Sequence, residues 1–260
     1  MRSTHRLRWA FVFLLMLGLQ WSATAGVVLG GTRVVFAEKD REASIPMRNT
    51  GTSPYVVQAW IDAGEGHTKT PLLVTPPLSR LDPGAENILR ILRVPGDLPA
   101  DRESVFWLNV KEIPEKSREE NVLQIAVRTR IKLFYRPAKL VGKAEDARSQ
   151  LTWAVGPDAQ GQGAVLKIGN PTGYHVTFIA MNVDTNGDRQ RVAADMVPPM
   201  GQVSYPLPAL KTPQAVRVDF TTINDYGAET PEDRVEVPVG AEPVAVKVER
   251  VPVAADAAKR

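Results

Sequence analysis

From residue 27 to residue 251 the chain is a succession of short runs rich in Val, Ile, Thr and aromatic residues, each closed by Gly, Pro or a polar turn. That pattern belongs to β-strands joined by tight connections. No stretch of useful length carries apolar residues at i, i+3, i+4 and i+7 between caps, which excludes a helical fold. The first half contains seven such runs, at 27–36, 43–49, 55–62, 72–75, 87–93, 105–113 and 122–135. Their number and spacing fit a β-sandwich. Within them side chains alternate, Ile45 and Met47 to one face, Pro46 and Arg48 to the other. Residues 101–103 allow a short helical turn at most. Arg136-Pro137-Ala138-Lys139 ends the longest run, and the polar stretch 141–150 reads as the entry to a second domain. Strand-like runs resume at 151–155, 164–168, 174–181, 191–194, 203–207, 215–223, 235–239 and 244–251, with Asn186-Gly187-Asp188 as a hairpin turn. The expected fold is all-β, two sandwiches at residues 26–137 and 138–251, followed by a fraying tail at 252–260.

Composition removes several function classes. Hydrophobic residues at 43% and charged residues at 23% exclude wholesale disorder. With no cysteine in 260 residues, there is no disulfide framework, Cys-ligated zinc, iron–sulfur cluster or thiol catalysis. The net charge of +3 points at first to a polyanion partner, but its location decides otherwise. Arg2, Arg6 and Arg8 precede the apolar stretch 9–19, and Ala23-Thr24-Ala25 follows as a small-x-small site. These are the three parts of a secretory signal cleaved after Ala25. The apolar stretch is short against the ~20 residues of a spanning helix. Removing those three Arg from the 32 basic residues leaves 29 against 29 acidic, because residues 1–25 contain no Asp or Glu. The exported remainder is formally neutral, and nucleic-acid binding loses its support.

Catalytic and metal motifs are also missing from the sequence. His67 lies in a turn-like Gly-Glu-Gly-His-Thr segment and His175 in a strand-like run, neither with a second ligand at metal spacing. Both read as surface or hydrogen-bonded structural histidines. There is no G-x-S-x-G, H-E-x-x-H or phosphate-binding Gly loop. Glu86, Asp184 and Asp188 stand in or beside turns and read as solvated acids. No cofactor, metal or small-molecule substrate is expected, and tandem sandwiches alone select no function.

The run at 121–136, Asn-Val-Leu-Gln-Ile-Ala-Val-Arg-Thr-Arg-Ile-Lys-Leu-Phe-Tyr-Arg, contains neither Gly nor Pro. Fully extended it would span ~50 Å, about three times a usual strand. Leu123, Ile125 and Val127 fall on one face, Gln124, Ala126 and Arg128 on the other. A long alternating strand near a domain edge invites aggregation. Two readings stand: the three apolar residues face their own core, or the strand is kept to pair with another chain.

The stretch Leu-Gln-Ile-Ala-Val-Arg-Thr-Arg-Ile-Lys-Leu-Phe-Tyr-Arg-Pro at 123–137 closely resembles the signature strand of the PapD-like periplasmic chaperones of the chaperone–usher pilus pathway. Segments 31–36, 55–62, 75–84, 98–104, 109–114, 169–174 and 223–227 resemble the same family in the same order. The resemblance spans both domains, roughly Val27 to Val248. It implies two immunoglobulin-like domains set at an angle, an L-shaped molecule with a cleft. It implies a periplasmic chaperone that folds and caps pilus subunits, pilins and adhesin alike, by donor-strand complementation and delivers them to an outer-membrane usher.

The resemblance assigns roles to residues. Arg33 and Lys132 match the positive pair that anchors a subunit's C-terminal carboxylate, where charge-assisted donors contribute ~1.5–3 kcal/mol each. Leu123, Ile125 and Val127 match the residues that fill the groove of an incomplete subunit, contributing of order 5–9 kcal/mol gross. Lys132 has the opposite parity to these three, which leads us to expect a twist or bulge between Val127 and Lys132. Glu103, Arg136 and Asp225 match an inter-domain charge cluster that holds the cleft angle. The short charged loop 115–120 and the lack of cysteine match the short-loop branch; the family's occasional second-domain cysteine pair is missing. A structural or adhesive component of the fibre itself is the alternative, and an enzyme is not expected.

Overall fold

The protein is described from a computed structural model covering residues 26–116, 123–161, 163–185 and 187–252. The expected export signal at 1–25, most of the loop at 115–120, Asn121, Val122, Gln162, Asn186 and nearly all of the tail lie outside the described residues. Nine strands build the first domain: β1 (Val27–Leu29), β2 (Arg33–Ala37), β3 (Glu42–Asn49), β4 (Tyr55–Asp62), β5 (Leu72–Thr75), β6 (Leu78–Leu81), β7 (Glu86–Arg93), β8 (Ser104–Pro114) and β9 (Arg128–Arg136). They form a four-stranded sheet β1-β3-β7-β5 facing a five-stranded sheet β2-β9-β8-β4-β6. The alternating residues meet between the two sheets, with Phe36, Met47, Leu89, Ile91, Leu108 and Leu133 at the centre, all nearly inaccessible.

Four details of the first domain depart from the sequence reading. The run 27–36 is two strands in different sheets. Gly30 makes the crossing, donating its N–H to the carbonyl of Pro46; a Cβ there would sit 2.5 Å from the Pro46 ring. β6 is an additional strand. Among the described residues of the run 121–136, only Arg128–Arg136 is regular strand, while Leu123–Val127 lies outside any ladder, so this correction bears on function. The helical turn allowed at 101–103 does not form; Glu103 instead donates its backbone N–H to Gly173 of the second domain at 2.8 Å.

Between the domains a single helical turn, α1 (Ala144–Ala147), leads into a 3-10 turn at Arg148–Gln150. Four residues are too few to leave a periodic signature. The second domain contains β10 (Thr152–Pro157), β11 (Ala164–Asn170), β12 (Val176–Thr185), β13 (Asp188–Arg191), β14 (Met196–Val197), β15 (Gly201–Leu207), β16 (Val216–Thr222), β17 (Asp233–Val237), β18 (Val244–Ala245) and β19 (Val248–Arg250). One sheet runs β15-β11-β10-β18, the other β13-β12-β16-β17-β19 with β14 beside β12. Trp153 is fully buried between them, with the Phe220 and Phe178 rings 5.2 and 6.2 Å away. Thr185 pairs with Asp188, as the expected hairpin requires, and Gly187 takes a left-handed φ of 96°.

Candidate functional site

β2 lies parallel to β9 at the end of the five-stranded sheet, and the register sets Arg33 opposite Lys132. In β9 the odd-numbered residues Ile131, Leu133 and Tyr135 enter the core. Lys132, Phe134 and Arg136 therefore share the outer face, together with Arg33 of β2. This face turns toward the second domain. The Arg33 guanidinium lies 5.5 Å from the Phe134 ring centroid and donates through Nη1 to the Ile223 carbonyl at 3.4 Å. Its Nε is buried without a hydrogen-bond partner. Burial lowers the Arg33 pKa, with the nearby carboxylates of Asp225 and Glu103 pulling it back up. Lys132 Nζ donates to Asp195 Oδ1 at 2.8 Å across the cleft.

The three charged residues expected to cluster are brought together. Arg136 Nε donates to Glu103 Oε1 at 2.7 Å, and its two terminal nitrogens bind the Asp225 carboxylate bidentately at 2.7 and 2.9 Å. The guanidinium also stacks over Tyr174, 5.3 Å from its centroid. Burial alone would lower the Arg136 pKa; hydrogen bonds and charge from Asp225 and Glu103 outweigh it and raise it. The other oxygen of Glu103 accepts the His175 backbone N–H at 2.8 Å and stands 3.1 Å from its Nδ1. Glu103 is thus the junction of both domains, and its side chain is only 2% exposed. A cavity of about 500 Å³ opens beside this cluster, lined in part by Arg33, Arg136, Tyr174 and Tyr226.

Truncating Arg136 to Ala leaves a buried carboxylate without its cation. We expect Arg136→Ala to lose about 3–5 kcal/mol of stability, read as a lower urea midpoint.

The third feature is the segment before β9. Leu123, Ile125 and Val127 are 84%, 66% and 42% exposed. They share the parity of Ile131, Leu133 and Tyr135, so the apolar row of the core runs on past the end of the domain. The reading in which they face their own core is overturned. The last tie to the sheet is the Glu112 N–H donating to the Val127 carbonyl. On the other side β2 pairs only with Lys132–Arg136, which leaves one edge of Arg128–Ile131 open among the described strands. Of the twist or bulge expected between Val127 and Lys132, a bulge is absent from the paired part: the β8–β9 register is unbroken from Ser104↔Tyr135 to Lys111↔Arg128.

Two participants escaped the sequence reading. His175 reads from the sequence as a surface or hydrogen-bonded structural histidine; it is hydrogen-bonded, and its place at the inter-domain junction is what the sequence does not show. Asp195 belongs to no motif, and only the fold places it beside Lys132. Among the described residues no group of side chains could hold a metal ion, and no helix is long and apolar enough to cross a membrane.

Comparison with known proteins agrees with this architecture. Residues 26–141 match the family described as "Pili and flagellar-assembly chaperone, PapD N-terminal domain", and residues 146–234 match "Pili assembly chaperone PapD, C-terminal domain". The chain is 43% identical over 207 residues to the probable fimbrial chaperone LpfB of Escherichia coli O157:H7, covering 78% of this chain and 85% of that one. It is 38% identical over 216 residues to the chaperone FimC of Escherichia coli K12, covering 81% and 84%. Among solved structures, the YadV chaperone superposes with a TM-score of 0.72 at 33% identity, over 82% of this chain and all of that one. The SafB chaperone structure with the SafA pilin of Salmonella enterica gives 0.71 at 27% identity, over 82% and 97%. The chain belongs to the PapD family of pilus assembly chaperones.

Proposed function

We propose that this protein is a periplasmic chaperone that captures fimbrial subunits, fills their open groove with Leu123, Ile125 and Val127, and delivers them to an outer-membrane usher. The role is non-enzymatic. The observation that carries it is the exposed apolar row continuing the core face of β9 beside an open strand edge. An exposed row of this kind has a use when a partner lacking one strand accepts it. The register also gives direction. An added strand along residues 123–131 must stop where β2 begins, at Lys132. Its terminal carboxylate then meets Arg33 and Lys132 if it runs parallel to β9. The anchor and the groove-filling row can act on opposite faces because the added strand lies in the plane of the sheet.

Arg136, Glu103 and Asp225 set the angle between the domains that shapes this cleft. Export follows cleavage after Ala25, the mature domains are 26–137 and 138–251, and the shortness of the loop at 115–120 in the sequence supports membership of the short-loop branch. Family membership favours capping over a role as a fibre component. Pull-down with tagged protein from the periplasm tests the reading: a fimbrial subunit should co-purify at one-to-one stoichiometry. Recovery of the tagged chain without any subunit from piliated cells would reject it.

A further inference from the structure

The ammonium of Lys132 already has a carboxylate partner. Asp195, in the segment between β13 and β14, receives its hydrogen bond at 2.8 Å. The backbone of Asp195 is pinned on both sides, its carbonyl accepting the Phe178 N–H at 2.8 Å and its N–H directed at the Tyr205 hydroxyl at 3.3 Å. Its side chain is nevertheless 80% exposed, while that of Lys132 is 20% exposed. The carboxylate is therefore held at the cleft by its main chain and contributes little to either core.

The remaining contacts that join the domains are deeper and independent of it: Arg136 with Asp225, Glu103 with His175 and Gly173, Arg33 with Ile223. Breaking the Lys132–Asp195 pair leaves that junction intact. A carboxylate donated from the second domain occupies the cation that, on the reading above, receives a subunit's terminal carboxylate. The ammonium has three N–H donors, so the opposition is electrostatic: a second carboxylate brought to Lys132 meets a like charge already seated there and shares the cation with it.

We infer that Asp195 is an intramolecular competitor for the anchor, which holds Lys132 in the empty chaperone and opposes the arriving carboxylate when a subunit binds. The inference rests on the anchoring role proposed for Lys132. Such a competitor weakens capture and lets a bound subunit be released more readily to its next partner. Because the pair is largely exposed on one side, its effect is modest. Removing the charge should tighten capture about two- to fivefold.

The test is a competition. The probe is the fimbrial subunit that co-purifies with tagged wild-type chaperone, unfolded in guanidinium chloride and diluted into an equimolar excess of wild type and Asp195→Asn. With the wild type labelled uniformly with nitrogen-15 so that the two complexes separate in mass, native mass spectrometry at equilibrium should show two to five variant complexes for each wild-type complex. Glu236→Gln, which changes net charge equally on an exposed part of β17, should compete evenly with wild type. Coincident melting curves check that the fold is unchanged. An even ratio for Asp195→Asn, or an excess of wild type, overturns the inference while capture by wild type and its loss in Lys132→Ala leave the chaperone reading standing. If no subunit co-purifies with wild type, or Lys132→Ala captures it normally, the anchoring reading itself is overturned and the competitor role falls with it.

Discussion

Replacing Lys132 or Arg33 by Ala is expected to abolish recovery of a chaperone–subunit complex while both sandwiches stay folded. Lys132 lies on the outer face of β9, so its truncation opens no cavity in the core. Its partner Asp195 is 80% exposed and is solvated once released. The cost in stability is therefore within ~1 kcal/mol. Arg33 gives up one long hydrogen bond to Ile223 and its stacking on Phe134. Binding suffers far more, because a terminal carboxylate in a half-buried cleft loses a charge-assisted donor. That amounts to ~1.5–3 kcal/mol, roughly 10- to 100-fold in affinity for each donor. It also loses its register, since alternation alone permits two-residue slips. The measurement is co-purification with tagged variants beside circular dichroism. A complex at wild-type yield from Lys132→Ala contradicts anchoring.

The second large effect concerns the apolar row. The double variant Leu123→Glu with Ile125→Glu should fold as wild type and fail to assemble pili. Both side chains are exposed in the free protein, at 84% and 66%, so new carboxylates there meet only water. Substitutions at such positions shift stability by no more than ~0.5 kcal/mol. In the complex the same carboxylates would enter an apolar groove. The loss includes ~3–6 kcal/mol of apolar burial and a further penalty of several kcal/mol for desolvating charge. Electron microscopy of cells carrying the variant should show no fibres. Normal fibres would remove residues 123–127 from the mechanism.

Much of this architecture is written locally. Runs such as those of β3, β4, β7 and β8 announce themselves because one face is buried and period-two alternation follows. Failures occur where the decisive partner is distant. In 27–36 both halves alternate, and only the crowding of Gly30 against Pro46 reveals the change of sheet. In 121–136 the alternation is continuous although the pairing is not. A strand exists only where neighbours satisfy its backbone, and β2 supplies them only for Lys132–Arg136. The charge cluster joins Arg136 to Glu103 and Asp225, 33 and 89 residues away, so spacing alone was silent and family resemblance supplied it. Lys132 was legible as a cation of the signature strand. Its pairing with Asp195 follows from how the second domain sits against the first, which no local pattern encodes.

The central claim is that residues 123–131 become the missing strand of a bound subunit, and amide hydrogen exchange tests it most directly. In the free chaperone the amides of Leu123–Val127 should exchange rapidly, and those of Arg128–Ile131 that face the open edge should do so as well. In the complex they should slow by orders of magnitude, with the second-domain core strands β10, β11 and β16 little changed. Unaltered exchange across 123–131 in a stable chaperone–subunit complex would contradict the account.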